Sequence, residues 1–382
     1  MRTVPLSNIG HVRPDRRLDF AFIINRCTLF KEIVVPLPTI SATMQKERFY
    51  QLLDPALRTP KRWVVVSHLN PDGDAIGSSL AFSQFLRKLG HEVSVMVPNA
   101  FPGFLAWMPG ADDILLYEQN PSRCQQLLAE TDWLAMLDFN SPSRAGAMQD
   151  AINQLNVNKI LIDHHRDPEE SAYYCVRSET EVSSTSELVA EIILHAGESY
   201  LDESIATNAL VGIVTDTGSF AHSVFGPQVF SVCAKLVEHA ASYNQIHQLV
   251  YDTFSEDRLR LLGFAISHKM EVLDAYSTAI ISLTKSELES FHFQVGDTEG
   301  IVNYPLSMKK IKMAVLVTER QGVIRLSFRS KGVFSVHELA QLHFNGGGHV
   351  NAAGGTLECS MEEALDRLHR LLPEYQALLN QA

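Results

Sequence analysis

The chain has 382 residues, more than one ordinary hydrophobic core supports, so two or three domains are expected. Apolar residues make up 46% and charged residues 20%, which excludes a largely disordered chain, and no run of ~20 apolar residues occurs that could cross a bilayer. Against 44 acidic side chains stand 32 basic ones, a formal charge of −12 that argues against long duplex DNA as a partner. It leaves room for a short nucleic acid or a nucleotide held in a local basic pocket.

Residues 1–43 carry an Arg-rich opening (Arg13, Arg16, Arg17) and a short apolar patch from Phe20 to Ile24. The patch is too short for a signal peptide, and Asp15, Asp19 and Glu32 count against a transit peptide. A poorly ordered extension is expected there, with the folded unit starting at Met44, itself a candidate start codon. From Lys61 strands and helices alternate. Trp63 to His68 is a β-branched apolar run of buried-strand type, Asn70 to Asp74 a polar turn, and Ala75 to Leu89 a helix stopped by Gly90. Strands follow over Glu92 to Val97, Trp133 to Asp138 and Lys159 to Asp163, then helices over Ser184 to Ala196 and Asp202 to Val214. This order predicts an open, mainly parallel sheet with helices on both faces, in a domain over 44–230. Residues 231–269 read as a helical connector. A smaller α+β domain is expected over 270–382, with strands at Thr278 to Leu283, Met313 to Thr318 and Val323 to Phe328. Its helices are Val336 to Leu342 and Met361 to Leu372, the latter stopped by Pro373. The five cysteines (Cys27, Cys124, Cys175, Cys233, Cys359) are scattered, odd in number and without C-x-x-C spacing, the pattern of a reducing cytoplasm.

Four polar clusters fall where α/β folds place ligand sites, at the carboxyl ends of strands or the end of a helix. They are His68-Leu-Asn-Pro-Asp72-Gly73-Asp74, then Asp138, then Asp163-His164-His165, then Thr215-Asp216-Thr217-Gly218. Gly73 is expected to permit the bend that turns Asp72 and Asp74 toward one point. Read alone, Asn70 to Asp74 serves equally as a turn with a helix N-cap. Gathered together, Asp72, Asp74, Asp138 and Asp216 concentrate negative charge that only cations make tolerable. Carboxylates with imidazoles and no thiolate suit Mn²⁺ or Mg²⁺, and Zn²⁺, Co²⁺ or Fe²⁺ less well. Two such ions about 3.5–4 Å apart, bridged by a carboxylate, are a known device for phosphoryl hydrolysis. In the second domain, Asn345-Gly346-Gly347-Gly348-His349-Val350-Asn351 reads as a loop glycine-dense enough for backbone N–H groups to approach an anion. Arg325 and Arg329 sit on one face of the strand before it.

These motifs resemble, in order, those of the DHH phosphoesterase superfamily, and the S-F-R-S and G-G-G-H-V-N-A-A-G-G segments resemble its DHH-associated C-terminal domain. The compact length is most similar to the branch that degrades short oligoribonucleotides (nanoRNA) and 3′-phosphoadenosine 5′-phosphate (pAp). By position, the resemblance implies one Mn²⁺ held by His68, Asp72 and Asp138. It implies a second held by Asp74, Asp138, His164 and Asp216, with Asp138 as the bridge. It further implies catalytic roles for His165, at the scissile phosphate, and for Asp163, which orients the histidine pair. Arg325, Arg329, Gly347, Gly348, His349 and Asn351 would bind substrate. The partner implied is short single-stranded RNA or a small nucleotide, with no membrane and with a homodimer left open. Alternatives that share the metal motifs are a RecJ-like single-strand DNA exonuclease, a cyclic or linear dinucleotide phosphodiesterase and a family II inorganic pyrophosphatase. A non-catalytic nucleotide-binding regulator is the alternative of a different class.

Overall fold

The computed structural model describes residues 42–169, 173–221, 225–320 and 322–381. All but the last two positions of the extension expected over 1–43 lie outside the described residues.

After helix α1 (Ala42–Leu57), strands β1 (Arg62–Val66), β2 (Glu92–Val97), β3 (Leu115–Leu116), β4 (Trp133–Leu137), β5 (Asn158–Asp163) and β6 (Cys175–Ser178) build a parallel sheet. Its order is β3-β2-β1-β4-β5-β6. The central strands β1, β4 and β5 read as nearly unbroken apolar runs because both faces are covered. Trp63, Val65, Ala135, Leu137, Ile160 and Ile162 pack on one side with α2 (Gly73–Lys88), α5 (Thr185–Ala196) and α6 (Glu203–Asp216). Val64, Val66, Leu134, Met136 and Leu161 pack on the other with α3 (Pro121–Glu130) and α4 (Gln149–Gln154). The order reverses between β1 and β4, and a crevice opens beyond the carboxyl ends of strands at such a point.

Helices α7 (Gln228–Glu238), α8 (Tyr243–Tyr251) and α9 (Glu256–His268) lead to a second sheet. Its strands are β7 (Met270–Leu273), β8 (Thr278–Leu283), β9 (Met313–Arg320), β10 (Val323–Ser330), β11 (Gly347–His349) and β12 (Ala352–Leu357), in the order β11-β12-β10-β9-β8-β7. All its pairs are antiparallel except β8–β9. Helices α11 (Val336–His343) and α12 (Met361–Gln381) cover one face, and α9 and α10 (Lys285–Ser290) the other. On β10 that second face continues as Arg325, Ser327 and Arg329, paired across to Thr318, Leu316 and Ala314 of β9.

Three local expectations need correction. Pro373 does not stop α12, which runs on to Gln381. Leu368, Leu372 and Leu379 are buried on one stripe, and that packing outweighs the roughly 3 kcal/mol a helix-interior proline costs. Gly73 does not make the bend; Asn70 does, with φ 56°. Gly73 is required instead by close approach, since a Cβ there would lie 2.3 Å from Thr215 Oγ1. The glycine-rich segment is not an open loop but the hairpin β11–β12 at the sheet edge, with Gly348 facing Ala353.

Candidate metal centre and the cleft above it

The crevice between β1 and β4 receives its side chains from four elements. His68 follows β1, and its Nδ1 donates to the Leu69 carbonyl at 2.9 Å, leaving Nε2 to face Asp138 Oδ2 at 3.4 Å and Asp72 Oδ1 at 4.0 Å. Asp72 is the N-cap of α2, its Oδ1 accepting from the N–H groups of Asp74 and Ala75. The cap reading therefore holds, and the same carboxylate faces the His68 ring. Asp138 follows β4 with φ 66°, a left-handed conformation that costs a non-glycine residue about 1–3 kcal/mol and that persists where surroundings over-determine it. Its N–H bonds the Ile162 carbonyl at 3.0 Å and its Oδ1 accepts from Thr185 Oγ1 at 3.0 Å.

Helix packing brings the remaining carboxylates in. Glycines let α2 and α6 touch backbone to backbone: a Cβ on Gly77 would meet the Asn208 carbonyl at 2.6 Å, and one on Gly212 would lie 1.9 Å from Ser186 Oγ and 2.9 Å from Asp74 Oδ1. The start of α2 thus meets the end of α6, and Asp74 meets Asp216. The buried Asp74 accepts from Thr185 N at 2.7 Å and Ser186 N at 2.8 Å, the first amides of α5, whose N-terminus favours negative charge. His164 Nε2 stands between three carboxylates, 3.4 Å from Asp138 Oδ1, 3.7 Å from Asp74 Oδ2 and 3.8 Å from Asp216 Oδ2. His165 donates from Nδ1 to the buried Asp163 at 2.7 Å.

Among the donor groups that result are His68–Asp72–Asp138 and Asp74–His164–Asp216, with the two oxygens of Asp138 turned one toward each, and Asp138 with Asp163 and His165 forms another. The charge state shows what the groups lack. Burial, reinforced by Asp138, pushes the Asp74 carboxyl well above its ordinary range, and burial lifts Asp216 to about 7. Burial works against a charged His164, but Asp216, Asp138 and Asp74 overcome it and raise the ring to about 10. Burial likewise opposes the charge of Asp138, yet His164 and His68 hold that carboxyl well below the usual range. These carboxylate oxygens and imidazole nitrogens are a donor set that hard or borderline divalent cations fit.

The second sheet closes over this pocket. His349, from β11, lies 4.6 Å from His165 between ring centroids at 25° and 4.5 Å from His164 at 48°. One ring nitrogen from each of His164, His165 and His349 lies within 4.8 Å of the others, so the three imidazoles form a further polar cluster facing the cleft. Burial, followed by the charges of His164 and His165, drives His349 far below the ordinary imidazole value. Burial lowers Arg329, and the carboxylates of Asp216 and Asp72 raise it again, so this guanidinium works on the same pocket. Arg325 stands four residues back on the same strand face. Asn351 is engaged elsewhere, since its Nδ2 donates to Ser330 Oγ at 2.8 Å and the Gly332 carbonyl at 3.1 Å, fixing the hairpin turn.

Sequence reasoning missed several contributors. Thr185 and Ser186 carry a signal only in hindsight, as the opening turn of a helix capped by Ser184. Arg144 carries less. It lies on the turn after β4, where its carbonyl accepts from Leu69 N at 2.8 Å. Its half-buried side chain makes no ion pair among the described residues, and its charge bears on His68, His165 and His349.

Comparison with known proteins agrees with this architecture. Residues 62–213 match the DHH family, N-terminal domain, and residues 281–376 the DHHA1 domain. The crystal structure of an exopolyphosphatase-related protein from Bacteroides fragilis is 39% identical, covers 90% of this chain and 100% of its own, and superposes with a TM-score of 0.81. The bifunctional oligoribonuclease and PAP phosphatase NrnA of Thermus thermophilus is 28% identical over 305 residues, 80% of this chain and 87% of that one. Its namesake from Bacillus subtilis is 25% identical over 314 residues, 81% and 92% of the two chains. A parallel sheet that gathers histidines and aspartates at its switch point, roofed by a glycine-rich hairpin, is here the fold of a hydrolase, and the chain belongs to the DHH family of phosphoesterases.

Proposed function

We propose that the protein hydrolyses phosphoesters of short oligoribonucleotides and of pAp, with two Mn²⁺ ions. His68, Asp72 and Asp138 would hold one ion, and Asp74, Asp138, His164 and Asp216 the other. Bound there, a pair of divalent cations supplies Lewis acidity and lowers the pKa of water. The chain's own residues do the rest. Asp163 fixes His165 through Nδ1, leaving Nε2 at the far end of the ring to pass a proton to or from the reacting oxygens. Arg144, whose charge bears on the histidines, and Arg329, whose charge meets Asp216 and Asp72, take the charge of the scissile phosphate, and Arg325 the phosphate beyond it. Asp138 and His68 hold each other in place before any substrate enters.

The observation that carries this reading is the seating of His349 on His164 and His165. A roof so close to the donor groups leaves space for the end of a chain rather than for its middle, which favours very short substrates and a nucleotide with two phosphates. The two relatives named NrnA act on oligoribonucleotides and PAP, which supports the same substrates here. Free cysteines at Cys124, Cys175, Cys233 and Cys359 suit a cytoplasmic enzyme.

The test is a substrate panel with purified protein and Mn²⁺: di- to pentaribonucleotides, pAp, single-stranded DNA of graded length, linear and cyclic dinucleotides, pyrophosphate and polyphosphate. Mononucleotide release from the shortest RNAs and phosphate release from pAp are expected, with rates falling as length grows. Turnover confined to long DNA or to inorganic phosphates overturns the proposal.

A further inference from the structure

Helix α11 begins at Val336, capped by Ser335, whose Oγ accepts from Glu338 N at 3.3 Å. The second residue of that helix, His337, turns back toward the hairpin, and its Nδ1 accepts the N–H of Gly348 at 3.1 Å. Three observations meet at this bond. Gly348 has φ 144°, a conformation that side chains rarely adopt, and a Cβ on it would lie 2.5 Å from the Ala352 carbonyl. Strand β11 is the edge of its sheet, so an N–H pointing away from β12 has no ladder partner there. The next residue in the chain is His349, which stacks on His165 and His164 across the cleft.

We infer that His337 is a positioning residue of the substrate site: by accepting the Gly348 amide it fixes the peptide that aims His349 at the bound phosphate. The inference rests on the function proposed above and deepens it. It also assigns Gly348 a new part. That N–H is committed to an imidazole, so Gly348 serves by shaping the backbone and not by donating to an anion. The bond sets the state of His337 as well: Nδ1 accepts only when unprotonated, so the ring carries its proton on Nε2. An acceptor must stand at the place of Nδ1, two bonds beyond Cβ. The amide oxygen of asparagine reaches that place, the longer glutamine overshoots it, and leucine brings none.

This ordering is the test. His337→Asn, His337→Gln and His337→Leu are compared with wild type in the full chain with Mn²⁺. The readouts are kcat and KM on a diribonucleotide, hydrogen exchange of the peptide spanning 344–350, and Mn²⁺ binding by calorimetry. The expected result is a kcat roughly 10–100-fold lower for the Leu and Gln variants, the range seen when a supporting hydrogen-bond partner is removed. Asparagine should recover most of the lost rate, exchange in 344–350 should quicken in the Leu and Gln variants alone, and Mn²⁺ stoichiometry should stay constant throughout. Equal rates in all four proteins, or equal losses in all three variants, overturn the inference. So does unchanged exchange in the Leu variant. If wild type cleaves none of the RNAs, the proposed function fails, while the exchange comparison still decides whether His337 holds the hairpin.

Discussion

At the parallel sheet the charged side chains are held by one another and by the first amides of α5, whereas at the antiparallel sheet they ride on a hairpin shaped by its glycines. Asp138 is fixed by Thr185, His68 and His164, and Asp74 by two amides of α5. His349 and Asn351 sit on a hairpin whose shape comes from glycines too close to their neighbours to carry a Cβ, with His337 and Ser330 pinning its two ends. The first region is rigid because its charges demand partners; the second is shaped by the absence of side chains. Substitutions that remove charge should therefore act on the first region through chemistry, and substitutions that add atoms should act on either region through geometry.

The largest effect is expected from Asp138→Ala, which removes the oxygen facing each donor group at once. Loss of one transition-state donor costs roughly 10²–10³ in rate, and Asp138 serves both groups, so kcat should fall by at least about 10³-fold on every substrate. Calorimetry should show weakened uptake of both Mn²⁺ ions. If one ion still bound with wild-type affinity, Asp138 would not be shared between the two groups.

Next comes Gly212→Ala, an added methyl that meets Ser186 and Asp74 directly. Overpacking typically costs about 1–3 kcal/mol, and here the displaced group is itself a donor to the second group. Thermal denaturation should show the loss of stability, and Mn²⁺ titration a selective loss of the site formed by Asp74, His164 and Asp216. A variant with full stability and two intact sites would mean that helix contact does not set the position of Asp74.

The pH dependence of the metal-free protein sharpens the same contrast. Asp216, raised to about 7 by burial, binds its proton more tightly folded than unfolded. Between the ordinary carboxylate value near 4 and pH 7 the folded state then holds more protons, so stability falls as pH rises through that window. Asp216→Asn removes this term and should raise the melting temperature in chelator at pH 8. A relief of ~1 kcal/mol would be worth about 2–4 °C. Added Mn²⁺ should reverse the order, stabilising wild type more than the variant, and should release protons as it binds. A chelated wild type equally stable at pH 5 and pH 8 would count against a crowded carboxylate cluster.

How legible each region was in the sequence follows from the same difference. Strands β1, β4 and β5 announce themselves because burial on both faces makes them nearly continuous apolar runs, and Asp138 and Asp163 stand at the ends of the last two. Chemistry that needs a particular residue type leaves that type in the sequence. Hairpin β11–β12 was hidden because its glycines read as a loop, and the last turns of α12 because Pro373 read as a stop. Arg144, Thr185 and His337 were hidden for a further reason. Each acts on a residue distant in sequence or through a single bond, and neither periodicity nor spacing records such contacts.

The smallest expected effect separates shape from binding within the glycine-rich hairpin. Gly347 differs from its neighbours: its φ is not positive, and a Cβ there meets only His337, at 3.8 Å, an ordinary contact. By contrast, a Cβ on Gly346 would lie 1.9 Å from the Gly354 carbonyl. The fold therefore tolerates Gly347→Ala, with a melting temperature within a degree or two of wild type, while Gly346→Ala should disrupt the hairpin. Activity then reports on the substrate alone. If a phosphate approaches the bare backbone at Gly347, the added methyl should raise KM several-fold with kcat little changed. If KM stays at the wild-type value, Gly347 serves the hairpin only, and Arg329, Arg325 and Arg144 carry the contact with substrate phosphate.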